Sequence, residues 1–112
     1  MINSELKNTF AGMELLPCPC CGFKTLPEIA ADEICQVCWW HDDGQSDRDA
    51  DEVRGGPNSD LSLTQARLNF LEHGIFDPTR TDLITKTKSP SDFQIGRLFI
   101  KNSQGKIEEK VF

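Results

Sequence analysis

All five cysteines of the chain fall between Cys18 and Cys38, and the 74 residues that follow contain none. Cys18-Pro19-Cys20-Cys21-Gly22 contains one C-x-x-C turn, and Cys35-Gln36-Val37-Cys38 supplies a second after thirteen intervening residues. A two-residue gap lets one tight turn present two thiolates to the same ion, and two such turns complete a tetrahedron. The spacing therefore predicts one Zn2+ held by Cys18, Cys21, Cys35 and Cys38, with every ligand position filled and the metal structural rather than catalytic. Cys20 is an alternative ligand in place of Cys18 or Cys21. Iron suits the same thiolates, and His41 lies three residues beyond Cys38 as a minor ligand option. An odd, clustered set argues against a disulfide framework, and a thioredoxin-like reading lacks the βαβ pattern it requires.

Two further groups bear on chemistry. Trp39 and Trp40 follow the second knuckle, where alternating side chains assign one to the core; an exposed Trp40 would be a binding anchor. Asp42, Asp43, Asp47, Asp49, Asp51 and Glu52 line a long acidic loop. A calcium loop starting at Asp47 fails, because Glu52 stands where glycine is needed and Asn58 where the bidentate glutamate is needed. The loop is left as a solvated acidic face or a docking surface for a basic protein. Arg54-Gly55-Gly56-Pro57-Asn58 lacks the lysine and helix of a phosphate loop. No nucleophile, base and acid stand in a catalytic arrangement, so no enzyme is expected.

The elements that must position these residues are short. Pro17, Pro19 and Pro27 discourage helix, so Leu16 to Trp40 reads as knuckle, extended segments and knuckle. Met1 to Glu14 suggests a helical arm with Leu6, Phe10 and Met13 on one face. The clearest helix spans about 62–73: Ser62-Leu63-Thr64-Gln65 has the capping-box form, and Leu63, Ala66, Phe70 and Leu71 make one apolar stripe. Gly74 closes it, letting Ile75 fold back on Phe70. The polar run from Pro78 to Ser91 reads as loop or linker. Gly96–Lys101 and Lys106–Phe112 form a hairpin about Asn102-Ser103-Gln104-Gly105. The expected fold is a small α+β domain with four-cysteine knuckles on short strands, one main helix and a C-terminal β-hairpin. Its parts are an N-terminal arm (1–14), the knuckle domain (15–74) and an extension packing on the same domain (75–112).

The whole chain has 112 residues and a net charge of −6, with 38% apolar residues, so burial alone stabilises it little and the metal is expected to staple it. Residues 1–60 hold four Lys and Arg against twelve acids, net −8, and the remainder is +2. This balance disfavours nucleic acid and anionic membranes and favours a basic protein partner. No stretch is long enough to span a membrane and Met1 to Gly12 lacks a signal-peptide pattern, so the cytoplasm is expected; the oligomeric state is left open.

CPCCGFKTLPE followed by EICQVCWWHDDGQSDRDADEVRGGPNSDLSLTQARLNF resembles the bacterial cysteine-rich CPCC domain family, over about Cys18 to Gly74. The resemblance implies a small zinc-ribbon-like protein without established enzymatic activity, and some members are thought to accompany toxins as immunity proteins. The leading expectation is a zinc-stabilised module that blocks a basic, nuclease-type toxin through Trp40 and the acids of the loop. The alternatives are a zinc-ribbon adaptor or nucleic-acid-associated regulator, which would contact phosphate through the lysines of the hairpin, and a thiol redox or metal-handling protein.

Overall fold

Proline and glycine divide the chain into short pieces, and the computed structural model, which describes residues 9–10 and 13–111, shows how turns join them. Strands β1 (Thr9–Phe10) and β2 (Met13–Glu14) pair antiparallel, with Phe10 opposite Met13. The expected N-terminal helix is therefore not formed at these positions; Thr9 and Phe10 favour extended backbone, and Gly12 weakens a helix. Its remaining residues, Leu6 included, lie outside the described residues. Strands β3 (Leu16–Pro17) and β4 (Lys24–Leu26) also pair antiparallel, with a register shift between Leu16 and Pro17, where proline lacks an N–H to offer. The first knuckle is the turn between them. Ile34 and His41 form an antiparallel bridge around the second.

Helix α1 (Leu63–His73) begins at Ser62, whose hydroxyl accepts the Gln65 N–H at 3.0 Å. Only half of the expected capping box forms, because the Gln65 amide donates to Asn69 instead. Gly74 adopts the left-handed conformation and donates to Phe70 O, while Ile75 is buried. The apolar stripe is corrected at one position: Leu71 is exposed, and Arg67 occupies the buried face beside Leu63 and Ala66.

Beyond α1 the chain is woven back into the domain. Phe76 is buried against Trp40, with ring centroids 6.1 Å apart, and donates its N–H to Cys38 O. The segment expected as linker holds a short helix α2 (Thr81–Ile84) and a 3-10 turn (Pro90–Asp92), and Lys88 N–H bonds Gln36 O at the tip of the second knuckle. Strands β5 (Leu98–Lys101) and β6 (Ile107–Lys110) make the expected hairpin in register, Lys101 opposite Ile107, with Gly105 left-handed after the turn. The hairpin is anchored on the first knuckle: Gly96 and Arg97 both donate to Gly22 O, and Ile95 bridges Phe23. Neither glycine is replaceable, since a side chain on Gly22 would run into Arg97 O and one on Gly96 into Pro17. The core comprises the five cysteines with Leu26, Val37, Trp40, Ala50, Leu63, Ala66, Ile75 and Phe76. Among the described residues no helix is long and apolar enough to cross a membrane.

Candidate metal centre

The two knuckles repeat one hydrogen-bond pattern. In the first, Gly22 N–H donates to Cys18 O and Cys18 N–H to Phe23 O; in the second, Trp39 N–H donates to Cys35 O and Cys35 N–H to Trp40 O. Backbone amides point at the leading sulfur in both: Cys20 N–H at Cys18 Sγ and Val37 N–H at Cys35 Sγ, each 3.4 Å away. The residue after the second cysteine takes positive φ in each, +83° at Gly22 and +68° at Trp39. Glycine accepts this conformation freely, whereas a bulky residue there costs about 1–2 kcal/mol. The correspondence settles which thiols of C-P-C-C converge. Cys20 occupies the position of Val37, and Cys18 and Cys21 are the counterparts of Cys35 and Cys38.

The Sγ atoms of Cys18, Cys21, Cys35 and Cys38 all lie within 4.8 Å of one another, and the Cys18–Cys38 and Cys21–Cys35 separations are 3.7 Å. A tetrahedron with metal–sulfur bonds of about 2.3 Å has edges of about 3.8 Å, so this arrangement could hold a single metal ion. All four residues are buried, and Cys21 is the most exposed at 4%. Thr25 donates its hydroxyl to Cys35 Sγ at 3.1 Å, and Cys38 N–H donates to the same sulfur at 3.4 Å. Burial pushes the Cys18, Cys21 and Cys38 thiols up from their ordinary value. Cys35 is buried as well, but hydrogen bonds from the other three thiols and the Cys38 N–H hold it below that value. A cation reverses this balance by attracting every thiolate at once. Cys20 is buried in the same core, and burial raises its thiol. His41 points elsewhere, pairing with Asp32 at 3.0 Å.

The residues expected to meet a partner are placed differently from one another. Trp40 is fully buried beneath the second knuckle, and its apolar ring packs on Phe76; it is no surface anchor. Asp42 is also fully buried, accepting Ala30 N–H at 2.7 Å and Gly44 N–H at 3.3 Å, so its carboxylate shapes the loop and cannot reach a partner. Asp43 accepts Gln45 N–H and pairs with Arg54. Asp49 accepts Ser46 N–H and is bound by Arg54, and both interactions hold its carboxyl below the usual carboxylate range. Asp47 bridges Arg67 at 2.7 Å and Arg97 at 2.8 Å, which lowers its carboxyl too. Asp51 accepts the Thr64 hydroxyl at 2.6 Å, and the exposed Glu52 is engaged through its backbone, its oxygen accepting from Gln45 and its N–H donating to Asp49 O. The acidic loop is thus largely neutralised or internally bonded.

Four residues that sequence reasoning missed build this frame. Arg67 is 6% exposed: it donates to Pro19 O inside the first knuckle, grips Asp47 and lies 4.3 Å over the Phe99 ring. Arg97 covers the same ring at 4.7 Å. Buried Asn58 accepts His41 N–H and donates to His41 O, acting as a strand edge for the segment after Trp40. Buried Gln45 donates to Asp49 O and Glu52 O. The polar motifs Asp-Asp-Gly-Gln and Gly-Gly-Pro-Asn are therefore scaffolding. A signal for Arg67 existed in its place at i+4 from Leu63, on the apolar stripe.

Two metal-type knuckles on short hairpins, one main helix and a buried four-cysteine cluster define a small cysteine-knuckle protein. The chain belongs to the family described as Cysteine-rich CPCC, whose model matches residues 16–92. That span reaches beyond the expected limit at Gly74 and takes in the Phe76 and Lys88 segments that clasp the second knuckle. A search of curated proteins and one of solved structures each found no match.

Proposed function

We propose that the chain is a non-enzymatic protein-binding module closed around one structural Zn2+. The observation that carries this reading is the enclosed cage, in which four sulfurs at tetrahedral spacing account for a complete coordination shell. Bound there, Zn2+ supplies a cross-link between the two knuckles. Thr25 and the amides of Cys20, Val37 and Cys38 stabilise thiolate charge, while Trp40, Leu26 and Phe76 keep water from the sulfurs. Elemental analysis of the purified protein should return one zinc per chain, and chelation should abolish its tertiary structure. A metal-free protein that stays folded in chelator, or one carrying iron, would overturn the reading.

A basic protein is the partner class favoured by the net charge of −6. The reading as a toxin inhibitor drew on Trp40 and Asp42, both now interior, so the proposed contact moves to the exposed acids Glu28, Asp51, Glu52 and Asp60. Reversing Glu52 and Asp60 to lysine should weaken capture of a basic partner and lessen the salt sensitivity of the complex. A complex indifferent to both changes and to salt would refute the charge-based contact while leaving the metal reading intact.

A further inference from the structure

Strand β6 has an open side. Hydrogen-bonded and non-bonded pairs alternate along an antiparallel ladder, and Asn102 N–H donates to Lys106 O at the end of this hairpin. Counting along the register, Glu108 opposite Ile100 and Lys110 opposite Leu98 are the residues whose backbone bonds to β5. The N–H and C=O groups of Ile107, Glu109 and Val111 therefore point away from β5, and among the described residues they have no backbone partner. Glu108, Glu109 and Lys110 are exposed, and Val111 is 96% exposed.

Charges on an edge usually prevent strand addition, but the order of these charges is self-complementary. An antiparallel second copy centred on Glu109 sets Glu108 against the partner's Lys110 and Ile107 against the partner's Val111, and each pairing occurs twice by symmetry. Glu109 then faces the partner's Glu109. That repulsion is relieved in advance, because Arg97 already binds each Glu109 carboxylate at 2.7 and 3.0 Å. The hydrogen-bond parity agrees as well: a two-fold axis at residue 109 requires the backbone groups of 107, 109 and 111, which are the free ones. We propose that β6 pairs with β6 of a second copy about this axis, so that two hairpins form one four-stranded sheet across a homodimer. An edge this short buries little surface, and the association is weak and reversible.

Sedimentation velocity over a concentration series tests the proposal. The wild-type chain should shift reversibly from monomer to dimer. Lys110→Glu and Glu108→Lys, each of which opposes like charges twice, should weaken dimerisation about tenfold or more, and the double exchange E108K/K110E should restore it. Val111→Pro, which removes an outward N–H without altering charge, should also weaken it. Metal content and circular dichroism of each variant report that the monomer is intact. A chain monomeric at every concentration, a dimer unaffected by either single exchange, or a double exchange that fails to recover would overturn the proposal.

Discussion

Cys20 and Cys21 are neighbours in sequence with opposite expectations. Because Cys20 stands where the second knuckle has Val37, Cys20→Val should keep full metal stoichiometry and the native fold. Cys21→Ser should lose both, and elemental analysis with circular dichroism distinguishes the outcomes. Arg67 is the second residue with an outsized role. Arg67→Met keeps a similar stem but leaves Pro19 O without its donor and Asp47 with only Arg97, so chemical denaturation should show a loss of about 2–3 kcal/mol. The four converging thiols were legible in the sequence because their spacing is local, and Cys20 stayed ambiguous because C-x-C and C-x-x-C overlap in Cys18-Pro19-Cys20-Cys21. The true place of the acids was not legible, since Asp47 finds its arginines 20 and 50 residues away.

At the scale of elements, local chemistry again marks what could be read. Ser62 and Gly74 bound α1 by their own backbone preferences, and Asn102 to Gly105 fix the terminal hairpin, so both were expected nearly as they occur. The polar run from Pro78 to Ser91 was not: its Thr, Lys and Ser residues suggest a loop or linker, yet Phe76 just before it and Lys88 within it tie the segment to the end and the tip of the second knuckle through backbone bonds that leave no side-chain signature. Asn58 does comparable work from the other side. Asn58→Ala should strand the half-buried His41 N–H and C=O and destabilise the protein by about 1–3 kcal/mol, measured by thermal melting. Arg97→Ala should loosen the terminal hairpin, seen as faster amide exchange in β5 and β6 while the protein still binds metal.

For the whole molecule, acid should act on two sets of groups. Burial keeps most cage thiols protonated without a cation, so loading the site displaces protons, and apparent affinity should fall roughly tenfold for each proton displaced as pH drops by one unit. Acid also weakens the ion pairs that hold the terminal hairpin. Asp47 and Glu109 are held by arginines below their ordinary range, so the folded form binds protons less readily than the unfolded chain; the stability they give is full above that range and disappears as pH falls through it. Because losing the metal is expected to abolish the tertiary structure, metal release, followed by a chromogenic chelator, and unfolding, followed by circular dichroism, should coincide along the titration. The unequal backbone tolerance of Gly22 and Trp39 adds an order in time. One half of the cage is conformationally ready before any ion arrives, whereas the other must be forced into shape. Capture should therefore be sequential, with Cys18 and Cys21 engaging first, and a Trp39→Gly variant should quicken the closing phase in stopped-flow cobalt loading.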